Sequence, residues 1–218
     1  MRVLVIAAHP DDEVIGAGGT IAKHAERGDE VHVCILTDGV GARQGDAEKQ
    51  KECARSAAKA LGVSNVHFLD FADQKLDTYP ILEVTQAIEG AMGDVNPDIV
   101  YTHTATDPNK DHQVAFEATL VATRPAASKI RQVLCYEVNP YSWADATKHN
   151  MTTAPNVYVD IKDTFSLKIR ALMEYKNEIK EYPHPRSEEA LRAMGMRRGV
   201  EAGLEMAEGF FLLREVKK

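Results

Sequence analysis

Cysteine is scarce in this chain: Cys34, Cys53 and Cys135 are the only three among 218 residues. An odd number at wide spacing excludes a disulfide scaffold, and no pair has the spacing of a zinc site. Cys34 and Cys135 lie in apolar runs and Cys53 in a helical pattern, so all three read as reduced thiols of a cytoplasmic protein. Long apolar runs are missing as well. None approaches the roughly 20 residues that span a bilayer, and the amino terminus enters a strand pattern without a charged-then-apolar signal. Positive charge is in deficit, with 26 Lys and Arg against 33 Asp and Glu, a formal net charge of −7. An acidic body of this kind is not drawn to nucleic acid or to an anionic membrane, so neither is an expected partner. Internal repeats and low-complexity segments are absent. What is present, 44% hydrophobic and 27% charged residues, is the balance of a globular protein. The length suits one domain over residues 1–218.

The chain is organised around its opening stretch. Arg2 to Ala8 is a short apolar run rich in β-branched residues, the pattern of a strand buried on both faces. His9-Pro10 ends it, because proline cannot donate to a ladder. Asp11, Asp12 and Glu13 follow, then Gly16, Gly18 and Gly19, and a helical pattern runs from Thr20 to Arg27. Further strand patterns occupy 31–37, 65–69 and 99–103, separated by helical patterns over 46–61 and 81–92 and followed by one over 113–122. The alternation predicts an α/β fold, a Rossmann-like, three-layer, doubly wound and mostly parallel sheet. Residues 131–138 and 156–161 add two strands. The long polar connection 139–155 between them holds Tyr141, Trp143 and His149; its length suits a lid or binding loop, and Tyr141 and Trp143 either form a stacking wall or pack down. Asp163 reads as the cap of a helix reaching about Tyr182, which Pro183-His184-Pro185-Arg186 breaks. A last helix begins at Ser187, so the chain closes with C-terminal helices, and Phe210 to Leu213 reads as a short strand or a docking segment.

The chemistry lies at the strand ends. Three adjacent acids repel one another, and neither Arg nor Lys occurs between Arg2 and Lys23. A divalent cation would relieve them, with His9 and Asp12 as ligands, a pairing of imidazole and carboxylate that suits Zn²⁺ or another first-row metal. The bland alternative is a solvated acidic turn beside a packed histidine. A second polar cluster, Thr104 to His112, follows the fourth strand. If the first and fourth strands are parallel in one sheet, His112 meets His9 and Asp12 at a shared edge, where open α/β sheets bind their ligands. Two His and one Asp leave a coordination position open, as in a catalytic zinc site. Alternatively Asp111 caps a helix and His112 is structural. Gly16-x-Gly18-Gly19 is not the dinucleotide fingerprint, and the acids before it would repel a pyrophosphate. These glycines read as close packing of a helix. The rival functions are a nucleotide-binding protein without hydrolase activity and a non-catalytic metal-binding assembly protein.

The segment His9-Pro10-Asp11-Asp12-Glu13 after a first strand, followed by Gly16-x-Gly18-Gly19, resembles the LmbE-like / PIG-L family of zinc-dependent N-deacetylases. Asp111-His112 matches the end of that family's second motif. The resemblance implies a hydrolase that removes acetyl from an N-acetylated amino sugar or its conjugate, with zinc on His9, Asp12 and His112. It implies that Asp11 is the general base. Read from the chemistry alone, Asp11 could equally be an outer acid that fixes the tautomer of His9. Arg43, in the loop after the second strand, stands where relatives often contact substrate; otherwise it is a surface residue. Glu13 either bonds substrate hydroxyls or caps the first helix. Asn109 stands where relatives often carry a histidine, and it could donate to a developing oxyanion. His103 either replaces that histidine or packs in the strand. His184 reads as a loop residue. Family members commonly form trimers or hexamers, so self-association is implied too.

Overall fold

The structure is a computed structural model, and it describes residues 1–41, 45–125, 129–138 and 154–217. Arg43 and the aromatic residues expected at 139–153 lie outside the described residues.

Strand β1 (Arg2–Ala7) is an interior strand, third in the order of a seven-stranded sheet. Its alternate side chains serve two cores, since successive residues of a strand point to opposite faces. Val3, Val5 and Ala7 enter one cluster, and Leu4 and Ile6, with Ala8 just beyond the strand, enter the other. Strand β2 (Glu30–Thr37) and strand β4 (Ile99–Thr102) flank it, both parallel. Strands β3 (Asn65–Phe71) and β5 (Gln132–Tyr136) extend the parallel set on either side. Helices α1 (Asp12–Glu26) and α2 (Ala47–Leu61) cover the first face, and α3 (Ile81–Val95) and α4 (Lys110–Ala122) cover the second. The connection that follows β3 therefore returns to the far side of β1. The order β3-β2-β1-β4-β5 reverses between β1 and β4, which is the switch point where such sheets hold ligands. The expected doubly wound, mostly parallel α/β architecture is what the chain adopts.

The carboxyl-terminal third differs in detail from the sequence reading. The expected short strand at Phe210 is strand β7 (Ala207–Glu215), nine residues long and inserted between β5 and strand β6 (Val157–Asp160). It is antiparallel to both. Helix α5 spans Phe165–Glu174 and helix α6 spans Glu188–Ala202. Thr164, not Asp163, occupies the amino-terminal cap position of α5, and its hydroxyl donates to the Gly19 carbonyl of α1. No helix among the described residues is long and apolar enough to cross a membrane.

Helix α1 starts at Asp12, eight residues before the helical periodicity becomes visible, because the glycine run lies inside the helix. A Cβ on Gly16 would enter the Tyr136 ring, and one on Gly19 would lie 2.7 Å from Ile161 Cβ. The glycines do serve close packing. A buried ion pair also anchors this helix. Lys168 of α5 lies 2.6 Å from Glu208 of β7 and donates to the Ile15 carbonyl, while Glu208 accepts from the backbone N–H of Gly19 and Thr20.

Candidate active site

His9, Asp11 and Asp12 form the turn between β1 and α1. Asp11 takes the left-handed backbone conformation, φ 104°, that few non-glycine residues adopt, and its carbonyl accepts from Val14 and Ile15. This sharp turn lets His9 and Asp12 face the same point. The backbone N–H of His9 donates to Asp12 Oδ2, 2.9 Å away. From the other side of the switch point, His112 enters in the first turn of α4.

Three ligand atoms converge. His9 Nδ1 lies 3.1 Å from Asp12 Oδ2 and 3.2 Å from His112 Nε2, and His112 Nε2 lies 3.2 Å from Asp12 Oδ2. With metal–ligand bonds of about 2.0–2.1 Å, a tetrahedral site has edges of about 3.3–3.4 Å, so the triangle is close to that of three ligands on one cation. The other Asp12 oxygen, Oδ1, is buried with no hydrogen-bond partner among the described residues. The donor set and its spare oxygen fit a divalent ion.

The two imidazoles are each backed by a carboxylate. Asp111 Oδ2 lies 3.1 Å and Asp73 Oδ1 3.2 Å from His9 Nε2, and Asp107 Oδ2 lies 2.9 Å from His112 Nδ1. Such outer carboxylates orient ligating histidines and raise their basicity. His9, Asp73 and Asp111 also cluster closely enough to be considered a metal set. Asp111 is already spent, however: its oxygens accept from the backbone N–H of Gln74 at 2.8 Å and of Leu76 at 3.0 Å. It is therefore an orienting group, and not the helix cap considered from the sequence. Asn109 caps α4, its side chain accepting from Asp111 N–H while Asp107 accepts from Asn109 N–H. Burial works against the imidazolium of His9, yet Asp111, Asp12 and Asp73 draw it from 6.5 up to about 10. Burial likewise opposes charge on His112, and Asp12 and Asp107 draw it up to about 9. Asp12, Asp73, Asp107 and Asp111 together make this a strongly negative pocket, the electrostatic counterpart of a cation site.

Each of the three adjacent acids has its own partner. Burial would raise Asp12, but His112 and His9 hold it well below the ordinary carboxylate range. Glu13 is 3% exposed and raised by burial to about 7; it accepts from the Tyr175 hydroxyl at 2.6 Å and from the Asp11 N–H at 3.2 Å. Asp11 is 1% exposed, and its carboxylate meets Arg186, with Nε 2.8 Å from Oδ2 and Nη2 3.3 Å from Oδ1. Burial nonetheless raises Asp11 well above the ordinary range, against the pull of Arg186.

His103 is fully buried. Its Nε2 accepts from the Ala8 N–H, its ring stacks on His112 with centroids 4.1 Å apart, and the Tyr136 hydroxyl sits 3.2 Å away. Burial, with His112 beside it, holds it well below 6.5. It packs as a neutral strand-end residue. His184 lies in the loop before α6, where its Nδ1 accepts from Arg186 N–H. The structure thus brings His9, Asp11, Asp12, Glu13, Asn109 and His112 to one sheet edge. Glu13 and Asn109 have their side-chain oxygens engaged within the protein. Asp73, Asp107, Tyr175 and Arg186 were missed from the sequence. Asp73 and Asp107 carried a weak signal, since both follow strands ending at this edge; Tyr175 and Arg186 carried none.

An open α/β sheet with a buried His/Asp/His set at its switch point, beside a further acid, presents the donor set of a divalent-metal site. Residues 4–123 match the family described as PIG-L: GlcNAc-PI de-N-acetylase. The chain is 32% identical over 222 residues to the diacetylchitobiose deacetylase of Thermococcus kodakarensis, covering 95% of this chain and 81% of that protein. It is 29% identical over 193 residues to the 4-oxalmesaconate hydratase of Pseudomonas putida, covering 78% and 70%. The crystal structure of the conserved protein TT1542 from Thermus thermophilus superposes with a TM-score of 0.82 at 25% identity, covering 100% of this chain and 97% of that one. The chain belongs to the PIG-L (LmbE-like) deacetylase family.

Proposed function

We propose that this protein is a metal-dependent hydrolase that removes the acetyl group from an N-acetylated amino sugar or a conjugate of one. The observation that carries the reading is the triangle of His9 Nδ1, Asp12 Oδ2 and His112 Nε2, with the spare oxygen of Asp12 and the acid Asp11 beside it. His9, Asp12 and His112 would hold Zn²⁺, with another first-row divalent metal as the alternative occupant. Such an ion, when bound, polarises a carbonyl and lowers the pKa of water from about 15.7 to about 7.

The protein's own groups supply the rest. Asp11 takes the proton of the attacking water as its oxygen bonds to the acetyl carbon, and returns a proton to the nitrogen as the C–N bond breaks. Acetate and a free amine leave. Asp111 and Asp107 keep the two imidazoles aimed. Asn109 holds the start of α4, and so His112, and its side-chain N–H keeps its reading as a donor to the developing oxyanion. Glu13 accepts from the Asp11 N–H and so supports that turn, and keeps its reading as a contact to substrate hydroxyls. Arg43, outside the described residues, keeps its reading as a substrate contact. The amino-sugar class is supported by the Thermococcus relative's activity. Seven strands in one sheet support a single domain over residues 1–218, and three free cysteines, two of them buried, fit a cytoplasmic location. We include a homotrimer or homohexamer in the proposal, tested by light scattering.

The deciding assay is acetate release by zinc-loaded protein from N-acetylhexosamines, diacetylchitobiose and nucleotide-linked N-acetyl sugars. The expected result is turnover by the wild type, loss of bound metal in His112→Ala, and a loss of at least about 10²-fold in rate with metal retained in Asp11→Asn. Metal-loaded protein that releases no acetate from the panel would overturn the reading. Water addition to an unsaturated acid, the activity in the name of the Pseudomonas relative, would replace it.

A further inference from the structure

We propose that Arg186 is a positioning residue for Asp11, clamping the carboxylate in the orientation in which it exchanges protons with water and amine. The inference rests on the hydrolase reading above and adds to it a residue that neither motif contains.

Asp11 needs external orientation. It sits before the first turn of α1 in the left-handed conformation, so no helix face dictates where its side chain points. Its neighbours Asp12 and Glu13 are committed elsewhere, to the two histidines and to Tyr175. Arg186 approaches from 175 residues away in sequence, Nη2 donating to Oδ1 at 3.3 Å and Nε lying at ion-pair distance from Oδ2, 2.8 Å. A guanidinium that bonds one carboxylate oxygen and lies against the other constrains the carboxylate's orientation more than a point charge does.

The segment that carries Arg186 is itself held. Arg186 N–H donates to His184 Nδ1 at 3.1 Å, and its carbonyl accepts from Lys180 N–H. Ser187 N–H donates to the His184 carbonyl at 3.0 Å, and the Ser187 hydroxyl caps α6 by accepting from Ala190 N–H. Pro183 and Pro185 limit the backbone further. On the far side of the guanidinium, Nη1 lies 3.8 Å from a Glu178 carboxylate oxygen. The arginine therefore reaches Asp11 from a fixed base and is steadied from behind. A surface arginine that paired by chance would lack this support; the Arg186 side chain is 21% exposed and held at both ends.

The test uses full-length, metal-loaded Arg186→Ala and Arg186→Lys. A misplacement of about 1 Å costs on the order of 10²-fold in rate. Arg186→Ala is therefore expected to keep stoichiometric metal and a near-normal KM while kcat falls about 10²-fold. Arg186→Lys should fall between it and the wild type. Added guanidinium ion should restore part of the Arg186→Ala rate and none of the Asp11→Asn rate. An unchanged kcat, or a loss confined to KM without guanidinium rescue, would overturn the proposal, the latter making Arg186 a substrate contact. A second readout needs no turnover: urea unfolding of Asp11→Asn, Arg186→Ala and the double variant. Non-additive effects are expected from a direct pair, and additive ones would sink it. If the wild type releases no acetate at all, the deacetylase reading fails, and the unfolding cycle still decides the pairing.

Discussion

Of the carboxylates behind His9 and His112, Asp107 and Asp111 differ in what else they hold, and the structure predicts that removing their charges has different consequences. Asp107 backs His112, and its other oxygen accepts one backbone N–H, from Asn109. An asparagine carbonyl accepts that bond equally well. Asp107→Asn should therefore weaken zinc affinity by about 10–100-fold, the usual cost of losing such a partner, or about 1.4–2.8 kcal/mol. Its stability without metal should stay within about 1 kcal/mol of the wild type. Asp111 backs His9 and also staples the segment after β3 through Gln74 N–H and Leu76 N–H. In Asp111→Asn one of those buried donors faces an amide NH₂. A hydrogen bond to a charged group contributes about 1.5–3 kcal/mol, so this variant should lose a similar amount of stability on top of a comparable loss of zinc affinity. At a urea slope of about 2 kcal/mol/M the midpoint moves by about 1 M. Competition against a chromophoric chelator measures the affinity, and urea unfolding in excess chelator measures the stability. If Asp111→Asn is as stable as Asp107→Asn, the staple is not there. If neither variant changes zinc affinity, the carboxylates do not orient the ligands.

Other consequences are simpler to state. Lys168→Met leaves the Glu208 carboxylate buried without its cation, and by urea titration should cost about 3–5 kcal/mol, with Lys168→Met/Glu208→Gln less damaged than Lys168→Met alone. Gly19→Ala drives a methyl into Ile161 and should cost about 1–3 kcal/mol, whereas Gly90→Ala, on open helix surface, should stabilise by about 0.5–1 kcal/mol in thermal melts. His67 is held below 6.5 by burial and by His32 beside it. The unfolded chain then binds its proton more readily, so stability falls as pH drops below 6.5, and His67→Gln should show a shallower decline in acid unfolding curves. Chelator should abolish acetate release and leave the far-ultraviolet dichroism of the sheet in place, with Zn²⁺ restoring the rate.

Much of this protein is written in short-range patterns. The run from Arg2 to Ala8 has to be a strand buried on both faces, because every side chain from Val3 onward is apolar and a parallel sheet covered by helices is where such a run is stable. His9 and Asp12 share one turn, so their convergence needs only the few bonds between them, and the alternation of strand and helix periods carries His112 to the same edge. The glycines of α1 announced close packing, though they hid the start of the helix they belong to. Other features depend on the path of the chain. Strand β7 slides between β5 and β6 because burying Phe210 and placing Glu208 beside Lys168 favour that slot, and nothing within nine residues encodes a choice of neighbours. Arg186 meets Asp11, and Asp111 turns from helix cap to the support of His9, through contacts between segments tens to hundreds of residues apart. Periodicity and turn chemistry act over a few bonds, whereas the partner of a buried charge is whichever opposite group the finished packing delivers to it.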